Sequence, residues 1–308
     1  MSYYYRSNDL AVTDFDTFYV GTCQVQLDLY REGIKYFYTH ELGIDKSEVS
    51  QTNNIISVPH VHLGDGQALA QRLISRRYPE RLNVLNARVA LSVSRLSRSI
   101  HDACDPHLYT TYRRARAALI ELMASSNFAK TYIDTTGSQL LRLTAEATLA
   151  PQEREVVLGQ PGVMPFLKWL EGGALKVRDS HWSTDHYMRF AYFLQYSDLS
   201  EYLLSLEKMD GFIQSICNNP ALNKLPYRGY RHQEALRRAE VKRLRNRCLI
   251  TSSEPPLLQL LLTAIDMEEV RHYWQARAIK EFGLLMIKYG LPIQHTSLHE
   301  LDELLKGL

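Results

Sequence analysis

The stretch TCQVQLDLYREGIKYFYTHELG, residues 22–43, changes its period in the middle. From Gln24 to Leu29 polar and apolar side chains alternate, with Val25, Leu27 and Leu29 on one side and Gln24, Gln26 and Asp28 on the other. From Tyr30 onward the apolar residues recur at steps of three and four. Alternation is the period of a half-buried strand, and the longer step is that of a helix. The spacing therefore predicts a strand over 22–29 feeding directly into a helix over 30–42. Gly43 suits the helix stop, because a left-handed residue there carries no Cβ penalty.

A strand with one apolar face has to pair, and the adjoining residues 30–42 are helix rather than a hairpin partner. The same strand from a second copy would serve, giving a two-stranded antiparallel ribbon across a two-fold axis and hence a homodimer. Such a ribbon fits the major groove of double-stranded DNA, with Gln24, Gln26 and Asp28 as base-contacting residues. A glutamine amide both donates and accepts, which matches adenine N6 and N7. Downstream, DKSEVSQTNNIIS offers Asp45 or Ser47 as N-cap of a second short helix, which Pro59 would end.

Strand, helix, glycine turn and second capped helix, QVQLDL-YREGIKYFYTHELG-IDKSEVSQTNNII, resemble the ribbon-helix-helix repressors. The resemblance covers about 36 residues. It implies that Lys46 and Ser47 contact DNA phosphate at the start of the second helix, where backbone N–H groups point outward. Asp28 departs from that family, which tends to carry a neutral or basic residue there. A carboxylate facing DNA is repelled unless it accepts from cytosine N4.

Outward from this element the chain reads as helices. Leu85, Val89, Val93, Leu96 and Ile100 keep helical spacing through 82–102, and Asp105-Pro106 breaks that run and starts HLYTTYRRARAALIELMASS. Between 135 and 173 the composition shifts, with TTGSQ, LGQPG and Gly172-Gly173 marking turns. Further helices are expected at about 185–206, 207–217, 231–247, 255–289 (broken) and 297–306. The expected fold class is mainly α with few β-strands. An N-terminal region, 1–134, contains the ribbon-helix-helix element at about 22–57, a linker-like boundary spans 135–173, and a helical region spans 174–308.

Composition excludes little. A hydrophobic share of 45% against 23% charged residues allows a sizeable core in 308 residues. No run of about 18 apolar residues is present, so no membrane partner is expected. The four cysteines are scattered without a CxxC pair, which points to a reducing cytoplasm. MSYYYRSNDLAVTDFD has no basic-then-apolar leader pattern.

Motifs for chemistry are weak. His60 and His62 could share a strand face, but no third metal ligand is identifiable. Glu269-Val-Arg-His272 has the spacing used in di-iron bundles, yet no second E-x-x-H exists. LGDGQ, residues 63–67, lacks the Lys-Ser/Thr of a phosphate loop and reads as a turn. Cys104, flanked by His101 and His107, reads as a structural thiol at a helix end rather than a nucleophile. No enzyme activity, cofactor or metal is expected.

Charge is nearly balanced overall, at +2, but unevenly placed. Between Lys224 and Arg247 nine Lys and Arg residues face two carboxylates, Glu234 and Glu240. Arg231, Arg238, Lys242 and Arg245 fall near one helical face, and the last three are candidates for phosphate contact. The plain alternative is a solvated helix packing by Leu236, Val241 and Leu244. Arg72, Arg76, Arg77, Arg81 and Arg88 form a second basic cluster, and Arg113, Arg114 and Arg116 a third.

DPHLYTTYRRARAALIEL (105–122), YFLQYSDLSEYLLSL (192–206) and LPYRGY (225–230) are together similar, in order along the chain, to a family encoded on integrating conjugative elements. They also resemble a conjugation-regulating ribbon-helix-helix factor of large resistance plasmids. The resemblance implies an activator of transfer genes, with RNA polymerase as a further candidate partner. The competing expectation is a scaffold protein of a conjugation apparatus.

Overall fold

The computed structural model describes residues 15–19, 23–42, 50–52, 55–59, 75, 77–102, 105–132, 149–194, 196, 206–253 and 255–307. Three short strands, β1 (Phe15–Tyr19), β2 (Ser50–Thr52) and β3 (Ile55–Pro59), form an antiparallel sheet in the order β1-β3-β2. Ten α-helices account for most of the remaining described residues. They are α1 (Gln24–Tyr36, continued as a π-helix over Phe37–Leu42), α2 (Tyr78–His101), α3 (Leu108–Tyr132), α4 (Pro151–Gly159) and α5 (Phe166–Arg178). They continue with α6 (Thr184–Leu194), α7 (Leu206–Asn218), α8 (Tyr227–Thr251), α9 (Pro255–Lys288) and α10 (Leu298–Lys306). The mainly helical class with few strands is as expected.

The element expected to carry the ribbon is different. Residues 24–36 are helix, so the strand expected over 22–29 is absent from its described part, 23–29. All six residues from Val25 to Tyr30 are buried. The enclosure is confined to these first turns, since Arg31, Glu32, Lys35 and Tyr36 are only half-buried, so the three-to-four period is missing before Tyr30 and present after it. Buried polar residues two apart, Gln26 and Asp28, then imitate strand alternation. The cause of enclosure is visible at Gly33, where a Cβ would lie 2.6 Å from the Cβ of Met123, so α1 and α3 pack almost backbone to backbone. The second helix expected after Asp45 is also replaced where it is described: Ser50–Thr52 and Ile55–Pro59 pair as β2 and β3, with Thr52 opposite Ile55. Ile55, Ile56 and Val58 are β-branched, which favours a pleated surface over a helix.

The helices enclose two apolar cores. The first joins α1, α2, α3, α10 and much of α9, with Leu29, Val89, Val93, Leu96, Leu119 and Phe282 wholly enclosed. The apolar series of 82–102 thus faces inward as its spacing predicts. The second joins α5, α6 and α7 with Tyr230 of α8 and Ala276 of α9. Helix α9 serves both. Its 34 residues span about 51 Å at 1.5 Å per residue, unbroken although its sequence suggests a break. The Gly172-Gly173 pair does not form a turn either; it sits inside α5. A Cβ on Gly173 would lie 2.5 Å from the Tyr187 ring, so α5 and α6 approach closely there.

Several ends are closed as the sequence indicates. Asp105 Oδ1 accepts from His107 N at 2.8 Å ahead of α3. Ser297 and Glu300 form a reciprocal capping box on α10.

Candidate nucleic-acid interface

Helix α8 contains no proline or interior break over its 25 residues. Its first turn is held from outside. Asp179 Oδ2 accepts from Tyr227 N at 2.7 Å, which satisfies one of the free N–H groups at that end. Arg178 donates to the Leu222 and Leu225 carbonyls at 2.8 and 2.6 Å, fixing the turn that leads in. The Arg178 guanidinium, with the Tyr227 amide, holds the Asp179 carboxyl below the usual carboxylate range.

The basic residues of this segment divide into two groups. Arg237 pairs with Glu234 at 3.0 Å and donates to the Pro161 and Val163 carbonyls at 3.3 Å each. Arg245 is buried, pairs with Asp266 at 2.8 Å and donates to the Gln160 carbonyl at 2.9 Å. Asp266 in turn accepts from Gly162 N at 2.7 Å. Arg247 pairs with Glu153 of α4, and Arg243 pairs with Glu240 at 2.7 Å. These four fasten α8 to its surroundings or to itself. Arg245, expected at DNA phosphate, is therefore a correction: its charge is spent on Asp266 inside the protein.

Lys224, Arg228, Arg231 and Lys242 are exposed and Arg238 half-buried, and none of the five makes an ion pair among the described residues. Within the helix, Arg228, Arg231, Arg238 and Lys242 fall in about 80° of arc and along about 21 Å of axis. No carboxylate interrupts them. Glu234 is buried against Arg237, and Glu240 lies on the far side with Arg243. Arg231 stacks over Tyr227 at 6.0 Å, and Arg238 Nε donates back to the Glu234 carbonyl at 3.3 Å; both contacts position a guanidinium without neutralising it. Arg228 completes the row one turn before Arg231, a residue whose helical spacing is visible in the sequence although it is not among the expected phosphate contacts.

The other basic clusters are more mixed. Arg88 pairs with Glu121 of α3, and Arg116 with Asp302 of α10 at 3.3 Å. Arg81 lies over the Tyr78 ring at 6.0 Å and Arg113 over Tyr109 at 5.8 Å. Arg77 takes a left-handed conformation, φ 51°, ahead of α2. Arg72 and Arg76 lie outside the described residues.

The expected base-contacting residues turn inward. Asp28 is 3% exposed; its Oδ2 accepts from Leu298 N at 2.8 Å, and its Oδ1 accepts from Gln24 Nε2 at 3.0 Å and meets Arg31 at 3.1 Å. The carboxylate that fits a DNA-facing position worst is thus the N-terminal anchor of α10. Gln26 is fully buried, and Gln24 N donates to the Gln294 carbonyl at 3.1 Å. None of the three is placed to read a base edge. Lys46, Ser47, His60, His62, the turn at 63–67 and Cys104 lie outside the described residues.

The E-x-x-H residues serve the fold. Glu269 Oε2 accepts from Phe166 N at 2.8 Å and closes the start of α5, while burial pushes its carboxyl up. His272 is buried beside Arg271, which also reaches Glu268 at 2.7 Å, Gln275 at 2.6 Å and the Tyr30 hydroxyl. Among the described residues no group of three or more His, Cys, Asp or Glu is set to hold a metal ion. No described helix is long and apolar enough to cross a membrane.

No protein-family model, no curated protein and no solved structure matches this chain.

Proposed function

We propose that this chain is a DNA-binding protein that engages the phosphate backbone of double-stranded DNA through the outer face of α8, and that it acts as a transcriptional regulator of conjugative transfer genes. One observation carries the first half: Arg228, Arg231, Arg238 and Lys242 line one face with no acid between them. At 3.4 Å per base pair, about 21 Å of cationic helix matches roughly six base pairs of backbone. The sequence likeness over 105–122, 192–206 and 225–230 supports the second half. A ribbon formed by 22–29 is not part of the proposal, because those side chains are committed to their own chain. A second reading, a scaffold protein, draws on Val84 and Leu91 of α2, exposed by 68% and 49% one heptad apart between Arg81, Arg88 and Arg95.

Fluorescence anisotropy with a labelled duplex tests DNA binding. The affinity should fall steeply as salt rises, and replacing Arg231, Arg238 and Lys242 together by Gln should flatten the log–log slope by about 0.9 per lost phosphate contact. The loss should be alike for every duplex sequence. Binding that ignores both salt and the triple substitution would sink the proposal. Chromatin mapping in the native host then reports whether the occupied sites are promoters of transfer genes.

A further inference from the structure

Between α5, α6 and α9 lies a half-open cleft of about 740 Å³, lined by none of the residues of the basic row of α8. Its volume is within the range of small-ligand sites, about 300–1,000 Å³. Trp169, Trp182, Tyr192 and Phe193 give it aromatic walls, and Arg277 and Lys280, one turn apart on α9, give it charge.

The aromatic wall is preformed. Trp169 meets Trp182 edge-on at 6.5 Å and Tyr273 edge-on at 5.4 Å, while Phe166 stacks against it at 6.0 Å. Lys176 lies over the Trp182 ring at 4.0 Å, so a ligand ring would stack on the other face of that indole. Tyr192 is braced edge-on by Phe193 at 5.2 Å. Rings held by their neighbours lose little freedom when a flat ligand stacks on them.

Among the described residues, the charged groups at the cleft do not cancel. Asp185 and Arg189 pair with each other at 2.9 Å on the exposed rim and contribute no net charge. Arg277 donates through Nη1 to the Tyr273 hydroxyl at 3.1 Å, and its buried Nε has no hydrogen-bond acceptor. Among the described residues Lys280 has only Glu281, at 3.9 Å; that carboxylate is fully buried and neither of its oxygens is hydrogen-bonded there. His101 adds an imidazole from the end of α2, and His186 one from α6. Even with Glu281 set against Lys280, the guanidinium of Arg277 is left over.

We infer that the cleft is a binding site for a nucleoside monophosphate, the base stacking against Trp182 and Tyr192 and the phosphate held by Arg277 and Lys280. A flat heteroaromatic body joined to an anionic group is the chemistry that uses both walls at once. An apolar ligand would leave the Arg277 guanidinium desolvated without a counter-charge, and inorganic phosphate would leave the aromatic wall unused. The site goes beyond the backbone contacts of α8 and shares no residue with them.

The full chain reports on this site directly, since Trp169 and Trp182 are two of its three tryptophans. Intrinsic fluorescence and calorimetry would be followed while AMP, GMP, CMP or UMP is added, in parallel with the matching nucleosides and inorganic phosphate. At least one nucleotide should saturate at one per chain, with its nucleoside and free phosphate each at least tenfold weaker. Lys280→Gln should weaken the nucleotide at least tenfold in a chain that still unfolds cooperatively, although loss of the cation beside buried Glu281 lowers the unfolding midpoint. Arg277→Gln should weaken it likewise; if loss of its Tyr273 contact unfolds the chain, Lys280→Gln still decides. The Arg231, Arg238 and Lys242 triple variant should bind nucleotide normally, and Lys280→Gln should bind duplex DNA normally, so the two readings fail separately. No saturation by any of the four nucleotides, a nucleoside that binds as tightly as its nucleotide, or full affinity in Lys280→Gln would each overturn the assignment.

Discussion

In α1 the polar residues Gln26 and Asp28 lie inside the protein, whereas in α8 the cations Arg228, Arg231, Arg238 and Lys242 lie along its outside. Both helices carry polar side chains at spacings that invite a functional reading. The difference is what each side chain finds within reach. Asp28 finds the free N–H of Leu298 and the side chains of Gln24 and Arg31, so its burial is compensated. Among the described residues the four cations of α8 find no carboxylate, so they remain available, three exposed and Arg238 half-buried. A polar residue on a helix face becomes a candidate contact only after its intramolecular partners have been counted.

Asp28 offers the sharpest way to break this contrast. Asp28→Ala strips the acceptor from the first turn of α10 and leaves Leu298 N–H buried without a partner. A loss of about 3 kcal/mol in urea unfolding is expected, with Asp28→Asn losing less. A ribbon residue facing solvent would instead give no change.

Next in size, α8 itself contains both kinds of cation. Arg245→Ala leaves Asp266 facing only Gly162 N and opens the contact with the Gln160 carbonyl. It should cost about 2 kcal/mol in the same assay while leaving DNA affinity close to the parent's once the protein is folded. Lys242→Ala should do the reverse, lowering DNA affinity at low salt with an unchanged unfolding midpoint. If the two variants behave alike, the division of α8 into fastening and free cations is wrong.

Gly173→Ala addresses the packing. Alanine is the better helix former by about 1 kcal/mol, yet its Cβ would collide with Tyr187. A net destabilisation of about 1–2 kcal/mol is expected, because the overpacking cost exceeds the propensity gain. A higher melting temperature would show that α6 gives way without cost.

The smallest effect is a pH dependence. Burial raises the folded-state pKa of Glu269 above its unfolded value. Its contribution is therefore fully present below the ordinary glutamate range and is lost as pH rises through the raised value. Glu269→Gln keeps an oxygen acceptor for Phe166 N without a titrating group. Thermal unfolding followed from acid to neutral pH should show a shallower decline in the variant. Parallel curves for the two proteins would remove Glu269 as the source.

Much of the helical framework is legible in the sequence. The spacing of Leu85, Val89, Val93, Leu96 and Ile100 fixes the inward face of α2 because that helix has a solvent side and keeps its period. Asp105-Pro106 and Ser297-Glu300 mark helix starts because capping is a local interaction between neighbouring residues. The basic row is legible for the same reason: Arg231, Arg238 and Lys242 lie on one helix. The cleft is not, since Trp182 and Arg277 stand far apart in the chain and meet only when α6 packs on α9.

By itself, then, the sequence determined a mainly helical chain, the solvent-facing period of its amphipathic helices, the local caps and the run of positive charge from 224 to 247. Tertiary structure decided that residues 24–36 are helix, that Gly172-Gly173 lies inside α5, that Asp28 anchors α10 and that Arg245 pairs with Asp266. The physical reason in each case is a contact with residues distant in the chain. Periodicity records which side of an element faces water, and that record is lost where turns are enclosed, as at Val25–Tyr30, while the glycine pair is held helical by the close approach of Tyr187 and each charge by its remote partner.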